Sequence, residues 1–464
     1  MFIPAILAHV TKQVSKFDCL KNPTILELEN LQLNLFHIIT LIIFFFAIVH
    51  TLATYRLQQW AEAKDAKFKK RPRWLHLVLF ISQIEVVFVL WAIPLIIAIT
   101  CFYNATTALQ YINTRDYTEA LFVVVILSLT ASRPIVHIGE KAVHKCARCL
   151  GGSFAAWWFV VLTIGPIFGS FITEAGAMAL CALLLSRYFY AYAPSQKFSY
   201  ATLALLFVNI SVGGVLTDFA SPAVLILAHN WHWTSWDMLT AFGWKAVLGI
   251  LISNTLYWIY FRKELMHMGK AHRKALEEKP THIPHWIICI HVLFIIWTVL
   301  VAHYPAVFIA SFLFYLGFHQ LTREHQYPIR VRPPMFIGLF LAGLVIHGGL
   351  QGWWVADLLY GRSLWSVMGI TIGLSALNDN TAISYLASLI SNWGNLFEYA
   401  IFTGIIAGGG LTVLANAPNP AGYAILKPHF KNGINPFYLF VAAFIPTFIL
   451  YTLFYVLGPL AGWI

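Results

Sequence analysis

Along the chain, long apolar runs alternate with short polar clusters. A hydrocarbon core of about 30 Å takes roughly 20 residues of helix. The runs 33–54, 76–103, 118–136, 199–231, 239–261, 286–303, 305–320, 335–355, 397–426 and 436–462 therefore predict ten transmembrane spans. Two further stretches, 153–192 and 365–394, are apolar at their flanks but carry Thr173-Glu174 and Asn378-Asp379-Asn380-Thr381 at their centres. A charge in hydrocarbon is costly unless it faces protein or water, so each stretch predicts a re-entrant hairpin shielded by other helices. Ahead of the first span, Ile3, Leu7, Val10, Val14 and Phe17 recur at helical spacing with Lys12 and Lys16 between them. Residues 1–32 thus read as an interfacial segment, and 33–462 as one membrane domain.

Composition narrows the class. At 59% hydrophobic and 11% charged residues, the 464-residue chain is too apolar for a set of soluble domains. The net charge of +11 does not mark a nucleic-acid partner, because the basic residues sit mostly in short clusters between apolar runs. With residues 1–32 outside, 24 of the 30 Lys and Arg fall in inside loops and five in outside segments, with Lys245 within a span. That asymmetry orients the protein and brings the two hairpins in from opposite faces. Lys245, about two turns into its span, is placed to snorkel to the interface. The basic loop 56–74 suits anionic lipid headgroups of the bilayer. The N-terminus lacks the features of a removable signal peptide. Six scattered cysteines make no disulfide framework, and Cys146-Ala-Arg-Cys149 is a lone C-x-x-C. No phosphate-binding glycine loop is present, and the eighteen histidines form no repeated metal box, so neither ATP drive nor a membrane enzyme is expected. His50 and His347, within apolar runs, are expected to be satisfied by neighbouring helices.

After each hairpin comes a span interrupted by glycine. Gly213-Gly214-Val215-Leu216-Thr217-Asp218 runs on to Pro222, and Gly408-Gly409-Gly410-Leu411-Thr412 runs on through Asn416, Pro418, Asn419 and Pro420. Both fit G-G-x-L-T, and glycine with proline unwinds a helix and exposes carbonyls that need partners. The hairpin centres align as Glu174-Ala-Gly-Ala177 with Asp379-Asn-Thr-Ala382, each with an acid three residues before Ala. The expected fold is an all-α polytopic membrane protein: ten spans, two re-entrant hairpins and two broken helices in inverted repeat, with repeat cores at 153–231 and 365–426. Inverted halves with broken helices are how many secondary transporters build a midplane site.

The strings Thr173-Glu174-Ala-Gly-Ala-Met178, Asn209-Ile-Ser-Val-Gly-Gly-Val-Leu-Thr217-Asp-Phe-Ala-Ser-Pro222 and Asn378-Asp-Asn-Thr-Ala-Ile383 resemble the bacterial sodium/proton antiporter family of the ion transporter superfamily. The resemblance spans most of 33–462 and is strongest at 170–225 and 375–420. It implies a scaffold with two inverted repeats meeting at a central site, a multi-pass location in the bacterial inner membrane, and a homodimer. The superfamily's anion/sodium symporters carry Ser-Asn-Thr at their hairpin tips. Here Thr-Glu-Ala and Asp-Asn-Thr stand instead, which argues against an anionic substrate.

The chemistry agrees, since two midplane carboxylates repel an anion and attract a cation. Sodium takes oxygen ligands, which Glu174, Asp379, Thr173, Asn209, Thr217, Asn378, Asn380, Thr381, Thr412, Asn416 and unwound carbonyls can supply. Asp218 is read either as a further ligand or as a cap of the next half-helix. Glu85, mid-span, is a candidate proton relay, with a structural pair as its alternative. A carboxyl removed from water holds its proton more tightly, so proton and metal ion compete for the same oxygens. The expected function is exchange of sodium (or lithium) for protons without any cofactor. The alternative is a sodium-coupled symporter or effluxer of a small anion.

Overall fold

The computed structural model describes residues 25–65, 72–272, 283–302, 304–326, 328–329, 331–351, 361–389, 394–430 and 433–458. Helices, and no strands, make up the described residues. Five are long and apolar enough to cross a membrane: Phe154–Ile172, Glu174–Tyr192, Gln196–Leu216, Ser235–Tyr260 and Pro436–Leu457. Three bent pairs raise that number to eight. In chain order the main helices are α1 (Ile25–Asp65), α2 (Arg73–Ile81), α3 (Ile84–Phe102), α4 (Ala105–Asn113), α5 (Thr118–Thr130), α6 (Arg133–Cys149), α7 (Phe154–Ile172), α8 (Glu174–Tyr188), α9 (Gln196–Gly213) and α10 (Pro222–Asn230). Then follow α11 (Trp244–Tyr260), α12 (Arg262–His272), α13 (His285–Leu300), α14 (Pro305–Leu321), α15 (Arg332–Gly348), α16 (Leu364–Leu377), α17 (Asn380–Ser388), α18 (Asn395–Gly408), α19 (Asn419–Leu426) and α20 (Pro436–Leu457).

Several expected spans are not single helices. The run 76–103 turns by 93° at Ser82-Gln83, and 118–136 turns by 64° between α5 and α6. In the first of these, the Ser82 hydroxyl donates back to the Leu79 carbonyl and so helps end α2. Glu85 therefore sits in the first turn of α3 and not mid-span, with its side chain outside the described residues. The interfacial segment expected at 1–32 also lies outside them up to residue 24.

The chain divides into two compact units. Met1–Ala120, Met335–Arg362 and Tyr385–Asn392 form one, and Leu121–Pro334, Ser363–Ser384 and Trp393–Ile464 the other. In the first, Phe36 and Ile43 of α1 pack on Leu95, Ala98 and Ile99 of α3. His347 and His50, of two different helices, serve that packing. His347 Nε2 donates to the Phe88 carbonyl (3.0 Å), and His50 Nδ1 accepts from Trp91 Nε1 (3.1 Å).

The second unit holds both glycine-broken helices. Here α7 and α8 form an antiparallel hairpin whose arms meet closely: a Cβ on Gly165 would lie 2.3 Å from Cys181 Sγ, so only glycine fits. Its arms of 19 and 15 residues span about 28 and 22 Å. In the second stretch the two arms, of 14 and 9 residues, meet at Asn378-Asp379. The upstream arm, α16, lies along α18, where Ser375 donates to the Ile405 carbonyl (3.0 Å). The last turn of α17 belongs to the first unit, where the Tyr385 hydroxyl reaches the Val345 carbonyl (3.3 Å).

Buried asparagines repair what prolines break. Pro166 has no N–H to offer the Leu162 carbonyl one turn back. Asn209 on α9 and Asn254 on α11 both donate to that carbonyl at 2.9 Å, and Asn209 also donates to Asn254 Oδ1. Pro446 likewise frees the Ala442 carbonyl, which accepts from the Tyr257 hydroxyl at 3.2 Å. Lys245 does not snorkel as expected. It is fully buried, and its Nζ donates to the Tyr399 hydroxyl (3.0 Å), whose own proton goes to the Phe454 carbonyl.

Asn254→Ala should cost about 1–2 kcal/mol, since it strips one of two donors from a buried carbonyl and breaks the link to Asn209. Thr403→Val removes only same-helix bonds to the Tyr399 and Ala400 carbonyls and should cost under about 0.5 kcal/mol. Thermal unfolding of the two variants in detergent checks the order; equal losses would show that the Asn254 network carries no special weight.

Candidate functional site

Two hairpin tips meet two unwound segments, and the hydrogen bonds repeat in register. The first N–H of α8, at Glu174, donates to the Ala220 carbonyl (3.1 Å), and the first N–H of α17, at Asn380, donates to the Ala415 carbonyl (2.9 Å). Ala220 and Ala415 each stand seven residues beyond the glycine that ends the preceding helix, Gly213 or Gly408. Thr217 Oγ1 donates to the Ser170 carbonyl (2.6 Å), and Thr412 Oγ1 donates to the Ala376 carbonyl (2.8 Å). Ser170 and Ala376 each precede the first tip residue by four. The G-G-x-L-T threonines thus clip each unwound segment to its own hairpin arm.

This register shifts the sequence alignment by one residue. Glu174 matches Asn380, and Asp379 matches Thr173. Both matched residues act as caps: Thr173 Oγ1 accepts from the Gly176 N–H (3.4 Å), and Asp379 Oδ1 accepts from the Thr381 N–H (2.7 Å). The two acids are therefore not equivalent. Asp379 stands before its half-helix, whereas Glu174 is the first residue within its own. Thr173 also holds φ of +67° with ψ of 152°, a region that β-branched residues rarely visit, so the tip is strained.

Glu174 is buried, at 1% exposure, and Asp379 at 4%. Oε2 of Glu174 accepts from Asn416 Nδ2 (2.8 Å), and Ser221 lies beside the carboxylate. Oε1 has no partner. Gly214 lies flat against the carboxylate, where a Cβ would come within 2.6 Å of Oε1. Asp379 is close enough to act on Glu174 electrostatically. No basic side chain pairs with Glu174 among the described residues. Its ionised form leans on one neutral donor, the Asn416 amide, and the α8 N-terminus, whose half-charge only partly offsets a full one. Such a group calls for a proton or a cation.

Of the other expected ligands, Asn378, Asn380, Thr381, Thr412 and Asn416 gather at these tips and breaks. Asn378 Oδ1 accepts from the Asp379 N–H (2.9 Å), and Asn380 is fully buried with Nδ2 unpartnered. Asn209 stands one turn before Gly213 and gives its amide N–H groups to the Leu162 carbonyl and Asn254 Oδ1, leaving its own Oδ1 unpartnered. Asp218 is bound by the Ser235 hydroxyl, and Ser221 caps α10, accepting from the Val224 N–H (3.3 Å). Asp218 is thus not that helix's cap. Sequence reasoning missed Ser221 and Ser170, and read Asn419 as part of the second break without giving it a role. Asn419 Nδ2 donates to the Gly409 and Thr412 carbonyls, both at 2.8 Å, and so holds the second break open. Ser221-Pro222 is a readable start signal for a helix, but its contact with Glu174 arises only on folding.

A family model described as "Putative Na+/H+ antiporter" matches residues 35–457, nearly the whole chain. No curated protein matches.

Gly214→Ala should destabilise the protein by about 1–3 kcal/mol, because the methyl collides with the Glu174 carboxylate while the backbone, at φ −79°, tolerates alanine. Combined with Glu174→Ala the penalty should shrink by about 1 kcal/mol or more. Additive unfolding energies in this double-mutant cycle would rule out the contact.

Proposed function

Because the chain belongs to this family of Na+/H+ antiporters, we propose that it exchanges sodium, or lithium, for protons across a bacterial inner membrane. The observation that carries this reading is the buried Glu174 carboxyl, with one oxygen unpartnered, the neutral Asn416 amide on the other and Asp379 nearby. A proton on Glu174 satisfies the site. So does a sodium ion held by Glu174, Asp379 and neighbouring oxygens of Thr381, Asn416 and the unwound segments. Proton and sodium ion need the same Glu174 oxygens, so each expels the other, and that competition is the coupling. The two tips and breaks are proposed to be inverted halves, so that the site opens to one face at a time. Sodium and protons are the transported species, and no cofactor enters the cycle.

Symport of a small anion fits the site less well. It would place a negative substrate beside two acids with no basic side chain paired to Glu174.

In reconstituted vesicles, addition of sodium alone should collapse a preset pH gradient. Glu174→Ala and Asp379→Asn should each slow this by about 100-fold or more. For the wild type, the KM for sodium should rise as pH falls, by about tenfold per unit where one proton competes. The proton-occupied site is the sodium-free one, which sets that sign. Dissipation that requires an organic anion, or a Glu174→Ala variant exchanging at the normal rate, would refute the assignment.

A further inference from the structure

The short turn Gly214–Leu216, whose first residue lies flat on the Glu174 carboxylate, is held from two sides. From α7, Ser170 Oγ takes the Leu216 N–H (2.9 Å) and gives its own proton to the Gly213 carbonyl (2.7 Å), while the Ser170 carbonyl accepts from Thr217 Oγ1 (2.6 Å). All three bonds meet at one residue, so together they act as a pivot and leave the tilt of the turn open. The second hold comes from the segment Thr234–Gly243. The Ser235 hydroxyl donates to Asp218 Oδ1 and accepts from the Asp218 N–H (3.4 Å), a two-point grip on the residue after Thr217. Gly243 presses on the turn itself, where a Cβ would lie 3.2 Å from Leu216 Cγ and 3.5 Å from Leu216 Cα. The segment is itself fixed. Thr234 and Asp237 close a capping box around Ser235, with the Thr234 hydroxyl on Asp237 Oδ2 (2.6 Å) and the Asp237 N–H on Thr234 Oγ1 (3.3 Å). Met238–Gly243 then forms a π-helix, a rare form that recurs at functional sites. Rings on both sides of it seat the segment on α18: Trp233 meets Phe402 (centroids 5.4 Å apart), and Phe242 stacks on Tyr399 (5.2 Å).

Asp218 is half-buried where Glu174 and Asp379 are buried, and its carboxylate already has the Ser235 hydroxyl as a donor. An acid gripped at side chain and backbone by one serine of a fixed neighbour is placed to brace the chain on either side of it. We propose that Asp218 is a positioning residue of the exchange and not a sodium ligand: braced on Ser235, it fixes the tilt of the Gly214–Leu216 turn, and with it the spacing between Glu174 and the carbonyls of the first break. That spacing is the width of the cage offered to a bare cation. Selectivity between hard cations follows cavity size, ligand number and rigidity, and lithium is the smaller of the two ions. The brace therefore sets the preference between sodium and lithium. This role rests on the exchange reading above.

The test compares Asp218→Ala, Ser235→Ala and Asp218→Asn in the full chain, with proton movement in vesicles measured over a range of sodium and of lithium. Asparagine keeps an oxygen that can accept from Ser235 and loses the charge. Asp218→Ala and Ser235→Ala should each raise the KM for sodium by at least about fivefold, change the ratio of lithium to sodium KM by at least about threefold, and leave the maximal rate within about twofold of the wild type. Asp218→Asn should stay within about twofold of the wild type in all three. Ser235→Ala, at a half-buried site, carries the test even where Asp218→Ala fails to fold. An Asp218→Asn variant as impaired as Asp218→Ala or Ser235→Ala overturns the proposal, because a ligand needs the charge and a brace does not. Ser235→Ala with unchanged KM for both ions overturns it too, whether the maximal rate holds or falls, since a fall alone is general damage. A wild type in which neither ion moves protons sinks the exchange reading, and the positioning role with it.

Discussion

In hydrocarbon a backbone N–H or carbonyl without a partner costs several kcal/mol, so an unwound helix survives only where something else meets its polar groups. Two bonds meet that demand here, from the Glu174 N–H to the Ala220 carbonyl and from the Asn380 N–H to the Ala415 carbonyl. Each joins the first residue of a tip helix to the middle of a break. The tip needs an acceptor because its first N–H groups point out of the helix. The break needs a donor because its own ladder has ended. Satisfying both at once forces tip and break together, and the carboxylates at the tips arrive with them.

The rest of the unit keeps those contacts rigid. Asn209 and Asn254 repair the carbonyl that Pro166 strands, while Asn419 spans the second break. The threonines at 217 and 412 tie each break to its hairpin arm. Ser170 links the same parts, donating to the Gly213 carbonyl (2.7 Å) and accepting from the Leu216 N–H (2.9 Å). Asparagine, serine and threonine suit this work, being small, uncharged and able to bridge backbone groups.

The electrostatics follow from what is withheld. Lys245 is the one fully buried lysine described, and it is bound to the Tyr399 hydroxyl rather than to an acid. Glu174 has the Asn416 amide as its donor where a fixed cation would neutralise it permanently. In the exchange proposed above, that missing charge is supplied in turn by a proton and by a metal ion.

Much of this was legible in the chain. The apolar runs announced a helical membrane protein, and the doubled G-G-x-L-T motif marked both breaks, because glycine and proline act locally on the backbone. Acidic centres in apolar stretches singled out Glu174 and Asp379 for the same local reason. The tertiary structure decided the rest. It moved the internal alignment by one residue, since capping geometry and not the spacing of acids sets where a helix begins. It gave Asn209 to a proline-freed carbonyl 47 residues away and brought Asn416 to Glu174 across 242 residues. It also buried Lys245 on Tyr399, 154 residues distant. Side-chain partners of that kind depend on which helices lie side by side, and helix packing is a property of matched surfaces that no local pattern encodes.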